Sequence, residues 1–292
     1  MNPSTRRRKS PELTALSAER SLHRAGPFLK WAGGKSQLLS TYQQSFPSEF
    51  KSYLEPFTGG GAVFFHLRST RPAFKATLAD LNEELVNCYA TIRDNVDELI
   101  EHLNQHHNNQ EYFYAVRAID TTTLSQAQRA ARLIYLNKTC FNGLYRVNGK
   151  GQFNVPFGSY KNPRFCDEKN LRACSAALQN VDTVHQPFQN VLKTARKGDF
   201  IYFDPPYHPL SSTANFTSYT KNSFSGADQE NLAEVVAQLH KRGCLIMLSN
   251  SDTPFIRHLY KNFEINTVYA LRAINCKADG RGPVAEVLVT NY

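Results

Sequence analysis

The segment Asp204-Pro205-Pro206-Tyr207 contains residue types that could activate an amine attached to an aromatic ring. It follows the apolar run DFIYF (199–203), which predicts a buried strand. The Asp204 carboxylate and the Pro205 carbonyl are two acceptors, and they suit a nitrogen with two N–H donors, such as the exocyclic amine of adenine. Together they would favour a pyramidal nitrogen and stabilise the positive charge that develops on it. Tyr207 offers a flat face for base stacking, and Pro206 stiffens the segment. A turn with a buried tyrosine is the structural alternative.

A glycine turn follows the predicted first strand, SYLEPF (52–57). Gly59, Gly60 and Gly61 carry no Cβ, so we expect their amide N–H groups to be free for a ligand. Asp80 ends the next predicted strand, 19 residues after Gly61, where an acid binds ribose hydroxyls in nucleotide-binding sheets. The glycine spacing is not G-x-G-x-x-G, which favours a nucleoside-containing ligand other than a dinucleotide. A purely structural glycine turn remains the alternative.

Strands and helices alternate along most of the chain. The predicted strands are 52–57, 74–80, 199–203, 244–250, 263–270 and 284–292. The predicted helices are 58–69, 81–94, 95–107, 125–139, 226–243 and about 254–260. This pattern predicts an α/β fold with an open, doubly wound, mostly parallel Rossmann-like sheet.

The alternation is lost between residues 94 and 180, which indicates an inserted block. We expect residues 26–88 and 181–292 to form one discontinuous domain around the sheet. Residues 89–180 are predicted to form a second, mainly helical domain. It contains a β-hairpin, VNGKGQF, with Asn148-Gly149 as its turn. Residues 1–25 are polar and basic and predict a disordered tail.

The chain has 292 residues and a formal net charge of +9, and its basic residues are clustered. Between residues 129 and 172, nine lysines and arginines stand against two acids, with aromatic residues interleaved. This composition is typical of a nucleic-acid surface. A solvated basic face over an ordinary aromatic core is the alternative.

Several classes of protein are excluded or disfavoured. No apolar run approaches the roughly 18 residues of a membrane helix, and no secretory signal follows the basic N-terminus. The six cysteines form no C-x-x-C pair, which favours reduced thiols, no metal and a cytoplasmic protein. WAGGKS (31–36) lacks the spacing of an ATPase phosphate loop.

Five motifs occur in an order that resembles the Dam-type DNA adenine-N6 methyltransferases, over about residues 27–292. The motifs are FLKWAGGKSQLL, YLEPFTGGGAVFFHL, NGLYRVN…QFNVPFGSYKNP, DFIYFDPPY and VTNY. The resemblance is greatest to the modification enzymes of GATC-specific restriction systems. It implies a methyltransferase sheet domain, an inserted target-recognition domain and methyl transfer to the N6 amine of a flipped adenine in double-stranded DNA.

The same resemblance implies S-adenosylmethionine as methyl donor and no metal. The residues that match cofactor-binding positions of the family are Trp31, Lys35, Glu55, Phe57, Gly59, Gly61, Asp80 and Asp204. Asp204, Pro205, Pro206 and Tyr207 match the catalytic motif, with direct in-line transfer. The loop 208–220 is predicted to close over the flipped base.

The inserted block carries the residues that match DNA contacts of the family. They are Lys30, Phe141, Asn142, Leu144, Arg146, Asn148 and Pro156. Arg146 can donate two hydrogen bonds to guanine, Leu144 and Pro156 can contact thymine methyl groups, and Phe141 can wedge into the base stack. The remaining basic residues are expected mostly to hold phosphates.

Two other functions remain open on the sequence. One is methyl transfer to another planar amine, such as adenine in RNA or a glutamine side chain, against which the 139–163 segment argues. The other is a DNA-binding protein without activity, against which the set Trp31, Asp80 and Asp204 argues. No obligate protein partner is evident, although a cognate restriction endonuclease is a possible companion. The sequence gives no oligomeric state and no role for the tail.

Overall fold

The computed structural model describes residues 24–71, 74–210, 224–271 and 283–292. Within these residues, seven strands form one sheet in the order β3-β2-β1-β4-β5-β7-β6. The strands are β1 (Ser52–Glu55), β2 (Lys75–Asp80), β3 (Val181–His185), β4 (Phe200–Phe203), β5 (Leu245–Ser251), β6 (Glu264–Leu271) and β7 (Pro283–Thr290). Strands β1 to β5 are parallel, and β7 runs antiparallel between β5 and β6. The predicted doubly wound, mostly parallel sheet is confirmed.

Helices cover the sheet and build the inserted block. In chain order they are α1 (Leu39–Tyr42), α2 (Ala62–Thr70), α3 (Glu83–Asp94), α4 (Val96–Asn104), α5 (Gln110–Ala118), α6 (Gln126–Thr139), α7 (Glu168–Ala177), α8 (Val191–Thr194), α9 (Gly226–Arg242) and α10 (Pro254–Leu259). Capping residues determine where a helix begins and ends, and α9 is an example. Helix α9 begins at a capping box between Ser225 and Asp228 and ends at Gly243, whose φ is +82°.

Two large apolar clusters hold the sheet. One cluster joins sheet residues such as Tyr53, Phe200 and Met247 to Ile134 and Leu171 of the inserted helices. The other packs α8, α9 and α10 against β4, β5 and β7. Strand β4 is buried along its whole length, as expected for the centre of a parallel sheet covered by helices. A third, smaller cluster lies within the inserted block around Phe113 and Tyr135.

The predicted boundary between residues 88 and 89 falls inside helix α3, which continues without a break from Glu83 to Asp94. The segment before β1 also contacts the inserted block. Asn170 binds both backbone groups of Gly26, and Asn137 binds both backbone groups of Lys30. The division into domains stays a prediction, because the first apolar cluster contains residues from both sides of each boundary.

The hairpin differs from the prediction at its turn. Val147 pairs with Phe153 in an isolated antiparallel bridge, and the Asn148 N–H donates to the Gln152 carbonyl at 2.8 Å. The left-handed glycine is Gly151, with φ +78°, whereas Gly149 has no positive φ. The loop between Asn148 and Gln152 therefore contains three residues, 149–151, and Gly151 forms the bulge that closes it.

Strand β3 and helices α1, α5, α7 and α8 have no counterpart among the predicted elements. Residues 1–23 of the predicted tail and residues 211–220 of the predicted closing loop lie outside the described residues. No helix in the described part of the chain is long and apolar enough to span a membrane.

Candidate active site

Three carboxylates lie where parallel strands end. Glu55 is the last residue of β1, Asp80 is the last residue of β2, and Asp204 follows β4 directly. The carboxyl ends of neighbouring parallel strands meet at one edge of a sheet, which is where ligands bind in this architecture. Burial raises the pKa of Glu55 well above its usual value, and the negative charges of Asp204 and Asp80 raise it further. The Tyr53 hydroxyl donates to Glu55 at 2.8 Å and opposes that shift.

Asp204 is held by two side chains from distant parts of the chain. The Lys35 Nζ lies 2.7 Å from Asp204 Oδ1 and 2.8 Å from Oδ2. The Ser249 hydroxyl donates to Oδ1 at 2.7 Å and also lies 2.9 Å from the Tyr202 hydroxyl. Lys35 is 5% exposed and Asp204 is 20% exposed, so this ion pair lies largely out of water. The carboxylate has a fixed orientation and still reaches the surface.

The residues after Asp204 are equally constrained. Pro205 is buried, and no described residue donates a hydrogen bond to its carbonyl oxygen. The Tyr207 hydroxyl donates to Glu286 Oε2 at 2.8 Å, and the Lys35 Nζ lies 4.8 Å from the centre of the Tyr207 ring. Burial and the nearby Asp204 charge raise the pKa of Tyr207 well above its usual value, so its hydroxyl stays protonated. The segment thus presents one carboxylate, one carbonyl and one fixed ring.

The glycine turn is arranged differently from the expectation of free amides. The Gly59 N–H donates to Asp80 Oδ2 at 3.0 Å, and the Gly61 N–H donates to the Thr58 carbonyl at 2.8 Å. The expectation is wrong for these two residues because the turn uses their N–H groups to close on itself and to bind Asp80. Both have positive φ, +47° and +65°, and a Cβ on Gly61 would lie 2.5 Å from the Tyr89 hydroxyl oxygen.

Asp80 therefore lies beside the turn rather than apart from it. Its Oδ1 accepts the Asn82 N–H at 2.9 Å, while Oδ2 accepts the Gly59 N–H. Burial raises its pKa, and these backbone donors oppose the shift. Each carboxylate oxygen keeps a second lone pair that can accept a hydroxyl of a ligand. The next residue, Leu81, is 60% exposed and places an apolar side chain beside the acid.

Trp31 and Phe57 frame the same edge of the sheet. A Cβ on Gly59 would lie 2.8 Å from Trp31 Cδ1, so the absence of a side chain there lets the indole approach the turn. Trp31 also stacks on Tyr145 of the inserted block, with ring centroids 5.3 Å apart. Phe57 stacks on Phe188 at 5.3 Å. These aromatic groups and the acids suit a nucleoside ligand with a polar sugar.

The predicted DNA-binding residues gather around the hairpin. Phe141 is 51% exposed, and its N–H donates to the Pro156 carbonyl at 2.9 Å. Asn142 adopts the left-handed conformation with φ +55°, and Leu144 is partly buried. The Lys30 Nζ lies 3.9 Å from the centre of the Tyr160 ring, at the base of this loop.

Two of these residues already have partners within the hairpin. Arg146 Nε donates to Asn154 Oδ1 at 2.7 Å, and its Nη2 donates to the Asn154 carbonyl at 3.2 Å. Asn148 Oδ1 accepts the N–H groups of Lys150 and Gln152 inside the turn. The side chain of Asn148 is thus a turn-forming group in this structure.

Five of the nine basic residues of the 129–172 segment are bound within the protein: Arg146, as described above, and four further arginines. Arg129 pairs with Glu83 and Glu84, Arg132 donates to the carbonyls of Val116 and Arg117, Arg164 pairs with Asp167, and Arg172 pairs with Asp97 and Glu168. Arg132 is also buried. The positive charge available to phosphates is therefore smaller than the sequence count indicates.

Sequence reasoning missed several residues of the site. Ser249 and Glu286 contact Asp204 and Tyr207, and the buried amides Gln229 and Asn250 bind the backbone that follows. Their only signal in the sequence is polarity within apolar segments of β5, β7 and α9. The described residues contain no group of histidine, cysteine and acidic side chains that could hold a metal ion.

The sheet order, with β7 antiparallel between β5 and β6, is that of a Rossmann-like methyltransferase fold. The family model of the D12 class N6 adenine-specific DNA methyltransferases matches residues 31–274, and the chain belongs to that family. It is therefore an adenine-specific DNA methyltransferase, and the family implies S-adenosylmethionine as donor and DNA as substrate.

Curated relatives cover nearly the whole chain. The type II methyltransferase M1.LlaDCHI of Lactococcus lactis subsp. cremoris is 44% identical, over 91% of this chain and 95% of the relative. The type II methyltransferase M.MjaIII of Methanocaldococcus jannaschii is 45% identical, over 91% and 99%. A DNA adenine methylase of Serratia marcescens is 38% identical, over 89% and 96%.

Proposed function

We propose that this enzyme methylates the N6 amine of adenine in GATC, after flipping the base out of double-stranded DNA. The observation that carries the proposal is the fixed acceptor pair of Asp204 and Pro205 beyond β4. Asp204 is oriented by Lys35 and Ser249, and the Pro205 carbonyl has no donor among the described residues. Two acceptors on consecutive residues match in number the two hydrogens of an exocyclic amine.

The acceptors would act on the amine as the bond to carbon forms. S-adenosylmethionine supplies a methyl group on a sulfonium centre, which is an electrophile without any metal. Asp204 and the Pro205 carbonyl accept the two N–H groups and draw the nitrogen lone pair out of conjugation with the ring. The N–C bond would then form as the C–S bond breaks, sulfur would keep the electron pair of that bond, and the surplus N6 proton would pass to water. Tyr207 supports the flipped base by stacking.

The contact between Lys35 and Asp204 also affects this step. Its ammonium contacts both oxygens of Asp204, so it competes with the amine for the same carboxylate. Because Ser249 binds only Oδ1, the Oδ2 side becomes available when the ammonium moves from that oxygen. We infer that Lys35 orients Asp204 and shifts toward Oδ1 as the amine arrives.

The same proposal assigns donor binding to the edge formed by β1 and β2. Asp80, Glu55 and Leu81 would contact the nucleoside, with Trp31 and Phe57 as neighbouring walls. Asp80 is anchored by two backbone N–H groups and keeps acceptor capacity for hydroxyls. The left-handed glycines let the turn and the indole come close enough to form this surface.

The same proposal assigns recognition of the DNA base sequence to the hairpin. The bonds from Arg146 to Asn154 use Nε and one Nη2 hydrogen, which leaves the Nη1 end of the guanidinium for guanine. Phe141, exposed at the loop, is placed to enter the base stack, while Leu144 and Pro156 offer apolar contacts. Lys138, Lys150, Lys161 and Lys169, which form none of the ion pairs described above, would hold phosphates.

A protection assay tests this function. Plasmid DNA incubated with the protein and S-adenosylmethionine should become resistant to nucleases that are blocked by adenine methylation in GATC. The Asp204→Ala variant, which should fold but not transfer methyl groups, is the control. Methyl groups found on adenine in another sequence would refute GATC, and methyl groups on cytosine would refute the adenine mechanism.

We also propose that the enzyme acts in the cytoplasm as the modification partner of a restriction endonuclease. Two relatives are named as type II methyltransferases, which supports this companion. A neighbouring gene whose product cuts unmethylated GATC would establish the system. Expression of such a nuclease without the methyltransferase should be lethal, and survival of those cells would contradict the proposal.

A further inference from the structure

Two fully buried amide side chains lie beneath the catalytic segment. Gln229 of α9 and Asn250 of β5 are each 0% exposed. A buried amide without hydrogen bonds costs several kilocalories per mole, so the partners of these groups decide why they are present. Neither residue matches a position assigned above to the donor, the adenine or the DNA.

Their hydrogen bonds form a chain with one direction. The His208 N–H donates to Asn250 Oδ1 at 3.1 Å, and Asn250 Nδ2 donates to Gln229 Oε1 at 3.0 Å. Gln229 Nε2 then donates to the Pro206 carbonyl at 2.9 Å. Each amide accepts with its oxygen and donates with its nitrogen, which neither a carboxylate nor an apolar side chain can do. Ser251 adds a bond from its hydroxyl to the His208 carbonyl at 2.6 Å.

The bonded backbone groups flank Tyr207 and follow the Pro205 carbonyl. Proline fixes φ at both Pro205 and Pro206, so few torsions connect Asp204 to Tyr207. With the Pro206 carbonyl held by Gln229, the ψ of Pro206 is fixed as well. The peptide plane that contains the Pro205 carbonyl is therefore held in orientation on both sides. The bond to the Pro206 carbonyl holds it on the C-terminal side, and strand β4 holds it on the N-terminal side.

We propose that Gln229 and Asn250 are positioning residues that aim the Pro205 carbonyl and the Tyr207 ring at the target amine. The inference rests on the proposed function, because it assigns the Pro205 carbonyl as an acceptor for that amine. Gln229 and Asn250 touch neither DNA nor methyl donor. They act through the backbone between residues 206 and 208.

The Gln229→Glu variant tests the donor function of Gln229. At high pH the carboxylate faces the Pro206 carbonyl without a hydrogen, and a misplaced segment should lower kcat about 10-fold to 100-fold. Burial raises the pKa of such a carboxyl, so it becomes protonated as pH falls and donates to the carbonyl again. The ratio of variant kcat to wild-type kcat should therefore rise between pH 8.5 and pH 6.

Two further variants complete the experiment. Gln238→Glu changes an exposed glutamine of the same helix and should have a ratio near one at every pH. Gln229→Met cannot donate at any pH, so its kcat should be low throughout. The titratable groups in or beside the segment are Asp204, Lys35, Tyr207, His208 and Glu286, and every variant retains all of them. Melting temperature and S-adenosylmethionine affinity are measured alongside kcat to separate positioning from unfolding.

The outcomes are distinct. A pH-independent ratio for Gln229→Glu, or a wild-type kcat for Gln229→Met, would overturn the positioning function while the wild type remains active. If Gln229→Glu gives no folded protein, the kcat of Gln229→Met alone decides. Failure of the proposed function would instead appear as a wild-type protein that transfers no methyl group to adenine.

Discussion

Replacing Asp204 by asparagine should separate catalysis from stability. The substitution keeps the shape of the side chain and an acceptor oxygen for Ser249, but it removes the charge that faces Lys35. Loss of one preorganised electrostatic group at a reacting centre typically costs about 10²–10³ in kcat. We therefore expect kcat to fall by at least that factor in single-turnover assays with labelled methyl donor.

The stability cost follows from the exposure of the pair. Breaking a fully buried ion pair costs ~3–5 kcal/mol, because one charge stays buried without a partner. Asp204 is 20% exposed and Lys35 keeps a bond to the Gly33 carbonyl, so we expect ~1–2 kcal/mol from urea unfolding.

The double variant Lys35→Met/Asp204→Asn removes the orphaned ammonium. It should regain most of the lost unfolding free energy and remain inactive. The reasoning is refuted if Asp204→Asn retains kcat within about threefold of wild type, because loss of a preorganised electrostatic group should cost far more than that. It is also refuted if the double variant is no more stable than Asp204→Asn.

Three further predictions concern the turn, the buried acid and the hairpin. Gly61→Ala should lower the unfolding free energy by ~1–3 kcal/mol in urea, because its φ is +65°, whereas Gly26→Ala, in open space, should not. Burial raises the pKa of Glu55, so the folded state holds this proton more tightly than the unfolded state, and stability falls as pH rises above about 4. Glu55→Gln should therefore stabilise the protein at pH 8, with a gain that shrinks toward pH 4 in urea titrations; a gain that grows on acidification would contradict this. Arg146→Ala should lose ~1–3 kcal/mol of discrimination between GATC duplexes and duplexes with one guanine replaced. Lys150→Ala, on the same hairpin, should weaken binding to both equally in a competition assay.

The central strands could be predicted because buried strands have apolar residues at nearly every position. Strand β4 is apolar at every position and ends at an acid, which locates both a strand and a candidate site. Strand β3 could not be recognised in this way. It lies at the edge of the sheet and pairs only with β2, and its residues from Asp182 to His185 are exposed or partly so. Its pairing becomes visible only once the sheet is formed.

The Asp204–Tyr207 segment could be predicted as a candidate site from its residue types, whereas the side chains that hold it in place could not be predicted. Asp204 and Tyr207 can be recognised because they stand in a rigid tetrapeptide at the end of a strand. Gln229 and Asn250 appear as single amides within apolar patterns, and their partners lie 23 and 42 residues away. The prediction of free amide groups in the glycine turn was wrong for a related reason. Nothing local indicates that Asp80 folds back to accept the Gly59 N–H.

The short segment from Lys30 to Lys35 runs from the inserted block past the glycine turn to Asp204. The backbone of Lys30 is bound by the buried Asn137 of the inserted block, and Trp31 lies between the glycine turn and Tyr145. Four residues further on, Lys35 contacts the Asp204 carboxylate. Because these contacts are made by neighbouring residues of one stretch of backbone, the packing of the inserted block and the position of the Lys35 ammonium depend on the same segment.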